Sequence, residues 1–247
     1  MRSSPSRPID EALAELIARP FAHRGLHGDG RIENSRAAFE AAIAAGQGIE
    51  LDVQASRDGD AIVFHDYELD RLTAAAGKVA DRATAELKVI NLGATGETIP
   101  DLLEILSLIA ARVPLLIEVK TPDRAVARLC RSVLRALDGY EGAVGVMSFN
   151  PEVGGWFASH APRVTRGLVV TEQDKEGVRG RIERLFALWR ARPHFLACDI
   201  RDLPSRFAAR ARAGGMPVMT WTVRTEGHLD TARRHADQII HELSAPR

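Results

Sequence analysis

What most constrains this chain is a rhythm of eight short apolar runs separated by stretches whose apolar residues fall three and four apart. The runs are Phe21–His23, Ile49–Val53, Leu115–Val119, Val144–Phe149, Gly167–Val170, Phe195–Ile200, Pro217–Val223 and Gln238–His241. Parallel strands covered by helices are buried on both faces and read as continuous apolar stretches, as LLIEV, GVMSF and GLVV do. The intervening segments, among them Ala37–Ala45, Leu102–Ala111, Ala125–Leu137, Val178–Trp189 and Phe207–Ala213, carry the period of a helix. Strand then helix, repeated eight times, predicts an α/β protein whose leading architecture is a (β/α)8 TIM barrel. An open doubly wound sheet shares the rhythm. The 247 residues suit one barrel domain.

Two segments depart from the alternation. Residues 66–100, after a short strand at Ala61–His65, are rich in Thr, Gly and Ala, and read as a small insertion after the second strand, lying over one end of the barrel. Only Glu242–Arg247 follow the eighth strand, too few for a covering helix. The N-terminal helix expected at Ile9–Ala18, with Leu13, Leu16 and Ile17 on one face, is assigned to that gap, so residues 1–20 form a covering helix and 21–247 the barrel.

Charge and cysteines narrow the function classes. Lys+Arg and Asp+Glu are 33 each, so no global field draws in a polyanion, and nucleic-acid binding is disfavoured. Cys130 and Cys198 are too few for a disulfide framework and lack metal or redox spacing. No apolar run approaches the 18 residues of a membrane span, and Asp10, Glu11 and Glu15 stand where a signal peptide needs an apolar core. These features predict a cytoplasmic protein with no stable membrane insertion; the oligomeric state is not legible.

Barrel chemistry sits at the carboxyl ends of the strands, so charged residues there carry the argument. Glu50 and Asp52, two apart in IELDV, project to one face of a strand. Glu118 stands at the same place in LLIEV. Converging carboxylates repel unless one is protonated or a cation lies between them, and an all-oxygen set selects a hard ion, Mg2+ or Ca2+. The alternative is that each pairs with an arginine at the rim. Lys120, two residues beyond Glu118, is either its salt-bridge partner or a point-charge contact for an anionic substrate. His23 and His65 end two strands beside this cluster, and a pair of imidazoles can accept one proton and donate another near neutrality. Arg24 adds a fork of donors suited to phosphate oxygens. The set points to phosphoryl chemistry.

Other chemistries fit less well. A glycosidase uses its carboxylate pair without paired histidines, and a zinc hydrolase needs histidines at ligand spacing, whereas His27, His160, His194, His228 and His235 read as surface residues. Ser148 lacks a nucleophile-elbow glycine pattern.

The motifs FAHRG, IENS, IELDV, VFHD, LIEVK, MSF and TWTV, in this order over Phe21 to His241, resemble the glycerophosphodiester phosphodiesterase family, in its short bacterial cytoplasmic form. The resemblance implies a TIM barrel with a small insertion after the second strand, Glu50, Asp52 and Glu118 as ligands of one divalent cation, and His23 and His65 as an acid–base pair. It further implies Arg24 and Lys120 as phosphate contacts and Trp221 as the aromatic wall of the pocket, against the plainer reading of a core tryptophan. Asn34, in the position of the family's Glu-Asn, touches the site or caps the helix starting near Arg36. The chain departs from the family at Arg224, where Asn is usual, and at His241-Glu242, where Thr-Asp is usual. Both changes are expected near the barrel mouth. Arg224 there either binds a more anionic headgroup or neutralises Glu242.

The expected activity is metal-dependent hydrolysis of a small-molecule glycerophosphodiester to an alcohol and sn-glycerol 3-phosphate. A barrel phospholipase or lyase acting on lysolipids is the alternative enzyme, but it needs an interfacial apolar patch, and residues 66–100 hold too few large apolar side chains for one. A barrel that only binds a phosphorylated ligand would be expected to have lost a metal ligand or a histidine, and none is missing.

Overall fold

The computed structural model describes residues 9–175 and 177–243. Its strands are β1 (Phe21–His23), β2 (Gly48–Ala55), β3 (Ala61–Val63), β4 (Leu115–Val119), β5 (Val144–Ser148), β6 (Thr165–Val170), β7 (Phe195–Asp199), β8 (Val218–Val223) and β9 (Gln238–His241). All but β3 are parallel, and they run in the order β1-β2-β4-β5-β6-β7-β8-β9 until β9 pairs with β1. The sheet therefore closes into a (β/α)8 TIM barrel, which excludes the open doubly wound alternative.

The helices are α1 (Ile9–Ile17), α2 (Arg36–Ala44), α3 (Thr84–Leu87), α4 (Leu102–Ile109), α5 (Ala127–Ala136), α6 (Pro151–His160), α7 (Gly177–Ala191), α8 (Arg206–Ala213) and α9 (Glu226–His235). The periodic segments of the sequence became α2, α4, α5, α7 and α8. Apolar spacing does not reveal α6, because Gly154 and Gly155 replace the expected large side chains. A Cβ on Gly154 would lie 2.7 Å from the Ala191 carbonyl, so its absence lets α6 approach α7. Asn150 starts α6 by accepting from the Glu152 amide, with Pro151 at the first position.

Alternation along the strands sorts their side chains. Ile49, Leu51 and Val53 face the helices in a cluster with Phe39, Ile105, Ile117 and Val133, while the partners between them face the barrel interior. The lower interior is a dry layer of Phe21, Leu116, Met147, Val169, Phe195 and Met219. Two phenylalanines fit because glycine stands opposite them: a Cβ on Gly48 would lie 2.6 Å from Phe21, and one on Gly167 2.4 Å from Phe195.

Leu16 of α1, fully buried, belongs to this same layer, flanked by Leu13 and Ile17. The helix thus caps the barrel floor at the amino ends of the strands, rather than filling the outer gap after the last strand where the sequence reading put it. The physical reason is that Leu16 finds apolar partners there, packing with Phe21, Leu116, Met147 and Phe195. Residues 1–8 and 244–247 of that assignment lie outside the described residues.

β3 folds back antiparallel on β2, with Val53 opposite Val63, and returns the chain towards the mouth. Residues 66–100 then build a small core of their own, in which Leu69, Val79, Leu87, Leu92 and Ile99 pack on Ile62 and Phe64. Among the described residues, no helix is long and apolar enough to cross a membrane.

Leu16→Ala should lower the free energy of unfolding by about 2–5 kcal/mol, the range for emptying a buried leucine site. Urea unfolding of the variant against the parent measures this, and an unchanged midpoint would show that α1 does not seal the floor.

Candidate active site

At the mouth, the interior changes from apolar to charged within one strand turn. Asp52 pairs in register with Glu118, and Glu50 with His23, so all four side chains project inward from three adjacent strands. Glu50, Asp52 and Glu118 each offer an oxygen within 4.8 Å of the others. Glu50 and Asp52 are only 1 % exposed. Burial first, then the charges of Asp52 and Glu118, push the Glu50 carboxyl well above its ordinary range. Burial and Asp52 raise Glu118 as well. Asp52 moves the other way, because Lys120 and Arg24 outweigh the effect of its burial.

The neighbours of the cluster hold it in shape. Arg24 follows β1 with φ 56°, a left-handed conformation that is costly for arginine, and so turns its backbone N–H onto Glu50 Oε2 at 3.0 Å. Its guanidinium lies 3.3 Å from Asp52 and donates to Glu33 at 2.8 Å. Asn34, also left-handed, donates from Nδ2 to Asp52 Oδ2 at 3.0 Å. Asn34 is 1 % exposed and does not line the cavity, so its expected contact with substrate gives way to positioning of Asp52. The cap of α2 is Ser35, whose hydroxyl accepts from the Ala38 amide. Lys120 Nζ stands 3.1 Å from Glu118 and 3.6 Å from Asp52, and it also lines the cavity, so both readings of this lysine describe its surroundings.

Each histidine is held through Nδ1 by a carboxylate, and each carboxylate by an arginine. His23 Nδ1 lies 2.6 Å from Glu242, which accepts from Arg224 Nε and Nη2 at 2.6 and 2.9 Å. His65 Nδ1 lies 2.6 Å from Asp66, which accepts from Arg71. Arg71 also binds Glu33, which closes a continuous chain of ion pairs back to Arg24. Burial alone would raise Asp66 and Glu33, but the arginine hydrogen bonds, with one from His65 to Asp66, hold both carboxyls at about 2. Carboxylates pinned in this way leave both imidazoles with Nε2 free for chemistry. His23 Nε2 is 3.9 Å from Glu50. His65 reaches the site although β3 is outside the barrel, because Gln54 Nε2 donates to the Phe64 and Asp66 carbonyls and ties the turn to β2.

His23, Arg24, Glu50, His65, Glu118 and Lys120 line a cavity of about 300 Å3. Its opposite wall is Trp221, fixed by an Nε1 donation to the Ala197 carbonyl at 2.9 Å, with Phe149 edge-on at 5.4 Å. Arg224 lines the mouth as expected, yet both donors point to Glu242, which fits neutralisation of that carboxylate. His241, expected at the mouth, is turned away: the inward residue of that strand is Ile240, and His241 Nδ1 accepts from the Leu243 amide. Two histidines read as surface residues are not free ones. His228 lines the cavity, and His27 lies beside His23 and Glu242 with a buried Nε2 that has no partner. Sequence reasoning placed Glu242 near the mouth as a partner for Arg224 but missed its bond to His23, and it missed Asp66, Arg71 and Phe149 as parts of the site. Of these three only Asp66 had a local signal, its place beside His65.

The chain and its fold match known proteins. The model of the glycerophosphoryl diester phosphodiesterase family matches residues 23–243. A glycerophosphodiester phosphodiesterase of Caldanaerobacter subterraneus is 37 % identical over 140 residues, 53 % of this chain and 57 % of that protein. Among solved structures, a glycerophosphodiester phosphodiesterase of Thermotoga maritima superposes with a TM-score of 0.72 at 26 % identity, over 90 % of this chain and 93 % of that one. An Oleispira antarctica phosphodiesterase in complex with the product sn-glycerol 3-phosphate shares the fold with a TM-score of 0.81 at 24 % identity, over 94 % of this chain and 95 % of the other. Residues 23–243 run from the last residue of β1 to beyond the end of β9, and the chain belongs to the glycerophosphoryl diester phosphodiesterase family, as an enzyme built on a (β/α)8 barrel.

Proposed function

We propose that this enzyme hydrolyses glycerophosphodiesters to an alcohol and sn-glycerol 3-phosphate, using one divalent cation held by Glu50, Asp52 and Glu118 and the histidines His23 and His65 as its acid–base pair. The observation that carries this reading is the pairing of two carboxylate-anchored imidazoles with three buried carboxylates around one cavity. The product found with the Oleispira phosphodiesterase supports the choice of substrate. The all-oxygen donor set fits Mg2+ or Ca2+, and the raised carboxyls of Glu50 and Glu118 mark a site that lacks positive charge. Bound there, the cation would supply Lewis-acid neutralisation of a phosphate oxygen.

The chain's own groups do the rest. Arg24 and Lys120 hold the diester's anionic oxygens against the site, where charge accumulates as the new bond to phosphorus forms. Burial first, with Lys120 and Arg24 adding to it, pushes the His65 imidazole below its ordinary value despite Asp52 and Asp66, so at neutral pH its Nε2 is free to accept a proton. His65 takes that proton from the nucleophile, either water or the glycerol hydroxyl next to the phosphate, the latter giving a cyclic phosphate that water then opens to sn-glycerol 3-phosphate. As the phosphorus–oxygen bond to the alcohol breaks, His23, with its Nδ1 fixed by Glu242, donates from Nε2 to the departing alkoxide. Trp221 and Phe149 form the apolar wall on which the carbon skeleton of the substrate rests. Cytoplasmic placement is part of this reading, supported by two free thiols, Cys130 and Cys198, that burial pushes up to about 12.

Release of sn-glycerol 3-phosphate from glycerophosphocholine, glycerophosphoethanolamine and glycerophosphoinositol should stop with EDTA and return with Mg2+ or Ca2+; no release from any of them under either metal would overturn the reading. Because burial and the neighbouring carboxylates raise the Glu50 carboxyl, a cation entering the site should compete with a proton there. Metal affinity should therefore tighten as pH rises, and calorimetry in buffers of different ionisation enthalpy should detect the released proton.

His23→Ala and His65→Ala should each cost about 100- to 10,000-fold in turnover of glycerophosphocholine. A 4-nitrophenyl leaving group needs no proton, so it should rescue His23→Ala and leave His65→Ala impaired. The reverse pattern would exchange the two roles.

A further inference from the structure

A helix on the outside of a barrel ordinarily buries an apolar face and presents polar residues to water. α7 departs from this: Ala187, Leu188 and Ala191 pack on the core, but most of its large apolar side chains face outward. Its buried residues are Gly180, Arg184 and Ala191, and Arg184 is tied inward to Glu172 Oε2 and the Lys175 carbonyl, each at 3.1 Å. Its outward residues are Val178, Ile182, Leu185, Phe186 and Trp189, between 49 and 71 % exposed. Positions 178, 182, 185 and 189 fall at the spacing that makes one straight stripe, with Phe186 beside it. The apolar surface sought without success in residues 66–100 stands here instead.

The rim of the stripe is basic. Arg179 is paired with Glu183 and Arg190 with Glu152, whereas Arg181 on α7 and Arg206 and Arg210 on α8 are exposed and form no ion pair among the described residues. Arg181, Leu185, Arg206 and Arg210 line a groove of about 810 Å3 between the two helices, and Arg201 is common to this groove and to the active-site cavity. Residues 171–175 lead away from the mouth end of β6 towards α7, so the Val178 end of the stripe stands beside the mouth.

We propose that the outward face of α7, with the unpaired arginines of α7 and α8, docks the enzyme on an anionic lipid bilayer. The apolar stripe enters the boundary between headgroups and acyl chains, and the arginines meet lipid phosphates. The 15 residues of α7 include Arg179, Arg181, Glu183, Arg184 and Arg190, so the helix lies on the membrane and does not cross it. Charge argues against a second copy as the occupant. A two-fold pairing sets the patch against itself, and its arginines would meet acidic groups that are already engaged, Glu183 by Arg179, Glu172 by Arg184 and Asp202 by Gln173.

Sedimentation with vesicles tests this without recourse to catalysis. With three unpaired arginines near the surface, the protein should bind vesicles of phosphatidylcholine containing about 30 % phosphatidylglycerol roughly 100-fold more tightly than vesicles of phosphatidylcholine alone. Trp189 emission should shift to the blue on the anionic vesicles, and Trp189→Phe should lose that shift. Leu185→Glu combined with Ile182→Glu should abolish binding, and Arg206→Glu combined with Arg210→Glu should reduce it to the level of neutral vesicles. Turnover of a water-soluble diester should be unchanged in each variant, which shows that the fold persists. Three results would overturn the proposal: wild-type protein left in the supernatant with both vesicle types, binding that survives the α7 charges, or a concentration-dependent dimer that Leu185→Glu dissolves, which would give this face to a second copy.

Discussion

Three carboxylates withdrawn from water into one barrel mouth set the terms for everything around them. At about 5 Å two like charges repel by roughly 3 kcal/mol even at an effective dielectric constant of 20, and Glu50, Asp52 and Glu118 offer oxygens within 4.8 Å of one another. The fold answers with local devices that would otherwise be unfavourable. Arg24 and Asn34 take left-handed backbone angles, the first to aim an amide at Glu50 and the second to place its side chain on Asp52. Lys120 is drawn between Asp52 and Glu118. Charge is offset on one side only. The barrel interior below is apolar, so the remaining deficit of positive charge faces the cavity, where a divalent cation and an anionic diester would arrive.

The two histidines follow one design from unrelated parts of the chain. His23 comes from a barrel strand and is held by a carboxylate 219 positions away, whereas His65 comes from a hairpin outside the barrel and is held by its immediate neighbour. In each case the carboxylate is oriented by an arginine, so imidazole direction is determined by a chain of directional bonds and not by packing alone. The departure at Arg224 and Glu242 is thereby explained as one unit: a glutamate reaches further than an aspartate, and the arginine fixes the longer side chain.

Much of this was legible before any coordinates. Continuous apolar runs marked all eight barrel strands, since burial on both faces leaves a strand no polar side. Charged residues at the ends of those runs marked His23, Glu50, Asp52, Glu118 and Lys120, because a buried charge requires a reason. What escaped detection depended on distance in space. Glu242 gains its meaning only from a histidine at the other end of the chain, and Arg71 only from Glu33, 38 positions before it. The place of α1 escaped for a related reason: an amphipathic pattern shows that a face is buried, not whether the floor or the wall receives it. The outward apolar stripe of α7 had the period of an ordinary helix, and only exposure distinguishes a stripe that faces outward from one that faces the core.

The floor made by Leu16, Phe21, Phe195 and their neighbouring glycines has a kinetic meaning. A barrel stoppered at its base is a vessel with one opening, so diester and water enter, and alcohol and phosphomonoester leave, by the same route. On the proposed reading, the alcohol, held by little beyond the aromatic wall, would go first, while the dianionic monoester would stay on Arg24, Lys120 and the cation and block the next substrate until its release. Turnover in such a vessel would be governed by the grip of the cationic groups on the product, the same groups that would make the bond to phosphorus easy to break.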